Sequence, residues 1–169
     1  MPIGVSDYTY NYSTANCASV ISETIEIIPF PQITGNLFVC VNTAVNLTAS
    51  PLGGVWSGAV ADASGIFNQS TSGTYSVSYS DITNTCTTSA EVIVQNEPVL
   101  NLNCPSYVCN TDAQINFNPS PPGGVWSGTG ISSSGVFAPA QGSNPTTATY
   151  TYSNGVCTVT ESSSIDVFT

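Results

Sequence analysis

One octapeptide, read twice, sets the limits on this fold. PLGGVWSG at 51–58 returns as PPGGVWSG at 121–128, a period of 70. The match extends outward, with VCVNTAVNLTASPLGGVWSGAVADASGIF (39–67) answering VCNTDAQINFNPSPPGGVWSGTGISSSGVF (108–137). The later half of the unit occurs three times: YNYSTANC, YSDITNTC and YTYSNGVC end at Cys17, Cys86 and Cys157. Each places a tyrosine seven residues before the cysteine (Tyr10, Tyr79, Tyr150), and each is followed by an alternating run, TIEII, AEVIV or SIDVF. Self-similarity at a fixed period is the signature of repeat architecture. It divides the chain into the tail of one repeat (1–30), a complete repeat (31–97) and a second (98–169). A lone two-stranded hairpin is marginal in water, so 1–30 is expected to be the closing hairpin of a preceding repeat, in a chain that starts inside a longer protein. MPIGVSDYTY carries neither the basic nor the apolar region of a signal peptide.

Each repeat reads as β. Val45–Ala49, Tyr75–Tyr79 and Thr149–Tyr152 alternate polar with apolar, β-branched or aromatic residues, the pattern of half-buried strands. Gly-Gly, Ser-Gly, Asn-Pro and Asn-Gly pairs punctuate them at short intervals, and no segment carries a 3.6-residue stripe. Six or seven short strands in about 70 residues predict an all-β fold of tandem immunoglobulin-like Greek-key β-sandwich repeats.

Charge removes whole classes of function. The 169 residues include no Lys, Arg or His, against ten carboxylates, a net charge of -10. Phosphate neutralisation is therefore absent, and with it nucleic-acid binding and docking to anionic lipid headgroups. No histidine is present to serve a Ser-His or Cys-His nucleophile pair or an imidazole metal site. The expectation is that the protein is not an enzyme. No apolar run approaches the roughly 20 residues of a helical membrane span. Yet 41% hydrophobic residues suffice for a core, and 45 Ser and Thr supply the polar surface that charges usually provide.

Without salt bridges, disulfides matter more. Six cysteines lacking both CxxC spacing and histidine point to structural bridges and an extracellular setting. Cys40 and Cys86 lie 46 apart, and Cys109 and Cys157 lie 48 apart, at equivalent places in the two complete repeats. We expect Cys40–Cys86 and Cys109–Cys157 bridges, with Cys17 partnered outside the segment and Cys104, which has no counterpart, free or competing with Cys109. Trp56 and Trp126, in the repeated GGVWSG, with Tyr10, Tyr79 and Tyr150, are expected to be core aromatics; the functional alternative is an exposed indole stacking on a sugar.

The ten carboxylates form no calcium loop. A junctional calcium site using Glu97 and Asp112 is the one cofactor considered; otherwise none is expected. Asn11, Asn46 and Asn68 match the N-glycosylation pattern, as chance allows in so Ser/Thr-rich a chain.

The Val-Cys pair, then P-x-GGVWSG, S-G-I/V-F, a Tyr-rich strand and a late Cys together resemble the immunoglobulin-like (PKD-like) repeats of giant Bacteroidota cell-surface and gliding adhesins of the SprB type. The resemblance covers nearly the whole chain and transfers no catalytic residue. It implies type IX secretion, a cell-surface location and a filamentous adhesin, here a disulfide-stapled stalk. The partners would be neighbouring repeats of the same long chain, with surface polysaccharide or other copies in a fibre as further candidates. Two other classes stand beside it: a carbohydrate-binding accessory module of a secreted protein, and a self-assembling extracellular filament in which 1–30 pairs with another chain.

Overall fold

Alternation in the sequence becomes strand almost everywhere. A computed structural model describes residues 4–15, 17–60, 62–83 and 85–169. Among them lies no α-helix, only a single 3-10 turn at Pro139–Gln141. The chain divides into two compact units. The first takes Met1–Asn36, Val45–Phe67 and Ser76–Glu91; the second takes Leu37–Ala44, Asn68–Tyr75 and Val92–Thr169. Repeat 31–97 thus contributes to both units, whereas 98–169 lies wholly in the second.

The chain opens with β1 (Gly4–Thr14) and β2 (Cys17–Ile27), paired antiparallel from Gly4↔Ile27 to Thr14↔Cys17. Then come β3 (Gln32–Thr34), β4 (Phe38–Cys40), β5 (Val45–Asn46), β6 (Thr48–Ser50), β7 (Val55–Gly58), β8 (Ile66–Phe67), β9 (Gly73–Ser80) and β10 (Thr87–Gln95). They form a four-stranded sheet ordered β4-β10-β9-β7 and two short ladders, β3-β6 and β5-β8. The next repeat supplies β11 (Tyr107–Cys109), β12 (Ile115–Asn116), β13 (Val125–Ser127), β14 (Val136–Phe137), β15 (Thr146–Ser153) and β16 (Thr158–Phe168). Its sheet, β11-β16-β15-β13, repeats the same order, and β12-β14 answers β5-β8. Repetition of sequence has become repetition of topology.

The second unit shows how a sandwich core is assembled. Val108 on β11, Trp126 on β13, Ala148 and Tyr150 on β15, and Ile165 and Val167 on β16 face inward from the four-stranded sheet. Phe137 on β14 and Phe117 beside β12 meet them from the short ladder, and Leu100 and Leu102 close the edge. Two sheet layers around one apolar interior make an immunoglobulin-like β-sandwich. In the first unit Leu47, Ala49, Phe67, Val77 and Tyr79 are buried.

The outward faces of the long hairpins carry hydroxyls. Thr149 pairs with Ser162 and Thr151 with Thr160, both at 2.9 Å. Ser78–Ser89 at 2.8 Å and Ser80–Thr87 at 2.9 Å do the same on β9 and β10. Cross-strand pairs stabilise a sheet by a few tenths of a kcal/mol to about 1 kcal/mol each. Here hydroxyls hold the places where Lys–Glu pairs commonly stand.

Candidate functional site: cysteines and their clamps

The cysteines are positioned by the way the first strand of each repeat joins its sheet. β4 adds parallel to the far end of β10, setting Cys40 opposite Gln95. Cys86 precedes Thr87, at the opposite end of β10. A nine-residue strand at about 3.3 Å per residue separates the two by roughly 30 Å. A disulfide tolerates only about 7 Å between Cα atoms, so the expected Cys40–Cys86 bridge does not form. Cys109, opposite Phe168, and Cys157, just before Thr158, are held apart in the same way along the 11 residues of β16. The expected Cys109–Cys157 bridge is therefore also absent.

Cys40 is instead bonded to Cys157, with 5.6 Å between Cα atoms and 117 residues between them in sequence. The early cysteine of one repeat joins the late cysteine of the next. Cys157 is buried, and its sulfur lies 3.9 Å from the carbonyl oxygen of Gln95, the residue opposite Cys40. Both cysteines belong to the second unit. Cys86, Cys104 and Cys109 are free thiols; the side chain of Cys17 lies outside the described ones. Cys104 is half-buried against the core, its sulfur 3.7 Å from the Leu102 carbonyl, and burial pushes its thiol up to about 11.

Cys86 and Cys157 are each held by a polar side chain in the hairpin turn before them. The Asn154 Oδ1 accepts from the Val156 and Cys157 N–H groups at 3.0 and 2.8 Å. In the preceding repeat the acceptor is Asp81, which is fully buried. Its carboxylate takes hydrogen bonds from the Thr83 hydroxyl, from the Thr85 N–H and hydroxyl, and from the Cys86 N–H. Burial alone would raise its pKa; the surrounding donors outweigh that and hold it below the ordinary carboxylate value.

The repeated aromatics form the rigid part of each sandwich. Tyr79 donates its hydroxyl proton to the Pro51 carbonyl at 2.7 Å and accepts from the Gly54 N–H at 2.7 Å. Tyr150 repeats this with Pro121 at 2.9 Å and Gly124 at 2.7 Å. The tyrosine thus pins the Gly-Gly turn to β9 or β15. A methyl group on Gly124 would meet the Tyr150 ring at 2.6 Å, so this turn requires glycine. Trp126 is buried between Phe117 and Tyr150, at 4.8 and 4.7 Å between ring centroids. Trp56, half-buried, meets the edge of Tyr79 at 5.0 Å. Trp126 is buried too deeply to stack on a sugar, while Trp56 keeps part of its ring at the surface.

Asp112 of the considered calcium pair accepts a hydrogen bond from the Cys109 N–H at 2.8 Å. Among the described residues no three Cys, Asp or Glu side chains gather as a metal would require. The clamps on Cys86 and Cys157 escaped the sequence reading; the signal available was Asp81 five residues before the one and Asn154 three residues before the other.

No family model matches the chain, and no curated protein matches it. A solved structure similar to it is Drosophila N-cadherin EC1-4, at 12% identity and a TM-score of 0.29. The match covers 96% of this chain and 58% of that one, a likeness too shallow to carry an argument.

Proposed function

We propose that this chain is a structural segment of an extracellular repeat fibre, a stalk that carries adhesion at the cell surface. The observation that carries the reading is the Cys40–Cys157 bond, which ties successive repeats together instead of stapling each one. Such a bond is of use where consecutive repeats must act as one mechanical body, and it persists in oxidising compartments outside the cytosol. The absence of Lys, Arg and His and the packing of Trp126 within the core fit a spacer better than a catalyst or a sugar-binding module. Type IX export and a part in gliding, which the sequence resemblance implies, belong to the same proposal.

Immunogold labelling of intact source cells with an antibody against 31–169, beside a denaturing gel, tests it. Gold along thin surface fibres with a band of several hundred kilodaltons is the expected result. Label confined to the medium, with a small band, overturns the stalk.

A further inference from the structure

The Cys40–Cys157 bond joins the early cysteine of one repeat to the late cysteine of the next. Cys86 is the late cysteine of repeat 31–97, and the same pairing applied to it calls for the early cysteine of a repeat before it. The structure holds Cys86 as it holds the bonded Cys157. Its N–H is fixed by Asp81 as that of Cys157 is by Asn154, and both sit in the turn that opens the last strand. Cys86 is half-buried and free.

A separate observation points to the same occupant. The β1–β2 hairpin has the register of β15–β16: Tyr10 lies opposite Ile21 and Tyr150 opposite Glu161, each four residues after the late cysteine. Tyr10, Ile25 and Ile27 therefore occupy the positions of Tyr150, Ile165 and Val167. In the complete repeat these are 1%, 0% and 4% exposed; in the hairpin their counterparts are 65%, 51% and 53% exposed. What covers the former is the early half of their own repeat, with β11 beside Val167 and β13 beside Tyr150. The hairpin stands as a two-stranded sheet with neither.

We propose that the Tyr10–Ile25–Ile27 face and Cys86, both in the first compact unit, form an acceptor site for the early half of a further repeat of this same pattern. The incoming Val-Cys strand adds parallel to β2 at Ile27, its Gly-Gly turn receives the Tyr10 hydroxyl, and its cysteine bonds Cys86. The proposal rests on the repeat-fibre reading above and names its partner. Bond formation needs a disulfide oxidant, for which glutathione disulfide serves. The Cys86 thiolate attacks it and releases one glutathione; the incoming thiolate then displaces the second, so two thiols are oxidised and one glutathione disulfide yields two thiols.

The test mixes the full chain with a synthetic peptide carrying residues 31–72 in a glutathione redox buffer and maps the adduct by mass spectrometry. The expected product joins the peptide cysteine to Cys86, in at least tenfold excess over Cys109, although Cys109 is the more exposed thiol. Ile25→Lys, on the apolar face, is expected to lower the yield about tenfold. Val20→Lys, on the opposite face of the same hairpin, is expected to leave it within twofold. With Cys86→Ser, the peptide should still slow hydrogen exchange in β1–β2. Adducts that follow exposure, equal effects of the two lysine variants, no protection of β1–β2, or faster coupling of Cys86 to a second whole copy would each overturn the proposal. Because the assay is done on purified protein, its failure leaves the surface-fibre reading standing, and the two failures can be told apart.

Discussion

The two complete repeats are built on the same anchors and cover them differently. In both, a tyrosine hydroxyl bridges the Gly-Gly turn with two hydrogen bonds of nearly equal length. In both, the motif tryptophan packs on that tyrosine. The difference lies one neighbour away. Phe117 lies against Trp126 and stacks on Phe137 at 5.9 Å between centroids, while the residue at the place of Phe117 in the earlier repeat is the buried Leu47. A phenyl ring covers an indole face more fully than an isobutyl group, and Trp126 is buried where Trp56 is half-buried. The octapeptide fixes where the tryptophan goes; residues outside it decide how much of it reaches solvent.

The sharpest way to break the comparison is to cut what joins the repeats. Cys157→Ser removes closure of a 117-residue loop, which on the chain-entropy model costs about 5 kcal/mol. Thermal unfolding under non-reducing conditions should show the loss. In single-molecule pulling, reduction should release roughly 400 Å of hidden chain, at about 3.4 Å per residue. Equal contour lengths with and without reductant would show that the bond bears no load.

The second test separates the two cores. Trp126→Ala should cost about 3–5 kcal/mol, the range for truncating a buried large aromatic, and Trp56→Ala distinctly less. Chemical denaturation of the two variants compares them, and equal losses would remove the distinction drawn from Phe117 and Leu47. Tyr150→Phe and Tyr79→Phe should by contrast match, each losing about 1–3 kcal/mol by stranding the same turn groups. Unequal losses would mean that one turn is held by more than its tyrosine.

The smallest effect concerns the turns. Asp81 titrates and Asn154 does not. Because the folded-state pKa of Asp81 is depressed below the ordinary 3.8, its contribution is fully present above that value and is lost as pH falls through the folded pKa. Hydrogen exchange at Thr85 and Cys86, corrected for intrinsic rates, should therefore speed up below about pH 4 relative to Val156 and Cys157. Parallel profiles would put the clamp elsewhere.

Much of this fold was legible in one dimension. The period, the alternating runs and the tyrosine seven residues before each late cysteine led to the tandem sandwiches and their long hairpins, because strand alternation and turn residues are local signals. The disulfide was not legible. A spacing that recurs every period lets an early cysteine reach the late cysteine of its own repeat or of the next. What decides is the parallel addition of β4 at the Gln95 end of β10, a long-range pairing of three residues that leaves no mark in the spacing. The Asp81 clamp stayed hidden for a related reason: a lone acid in a Thr-rich turn looks solvated until the turn folds over it.

A bond that skips from Cys40 to Cys157 also changes what a broken backbone means. A single peptide cut anywhere between those residues leaves both pieces in one molecule, held by sulfur. If successive loops of this kind overlap, as the recurrence of early and late cysteines allows, most positions in the array would be spanned by at least one bridge. Within such an array a single cut would be a nick and not a severed end, and would part the chain only if a reductant also acted.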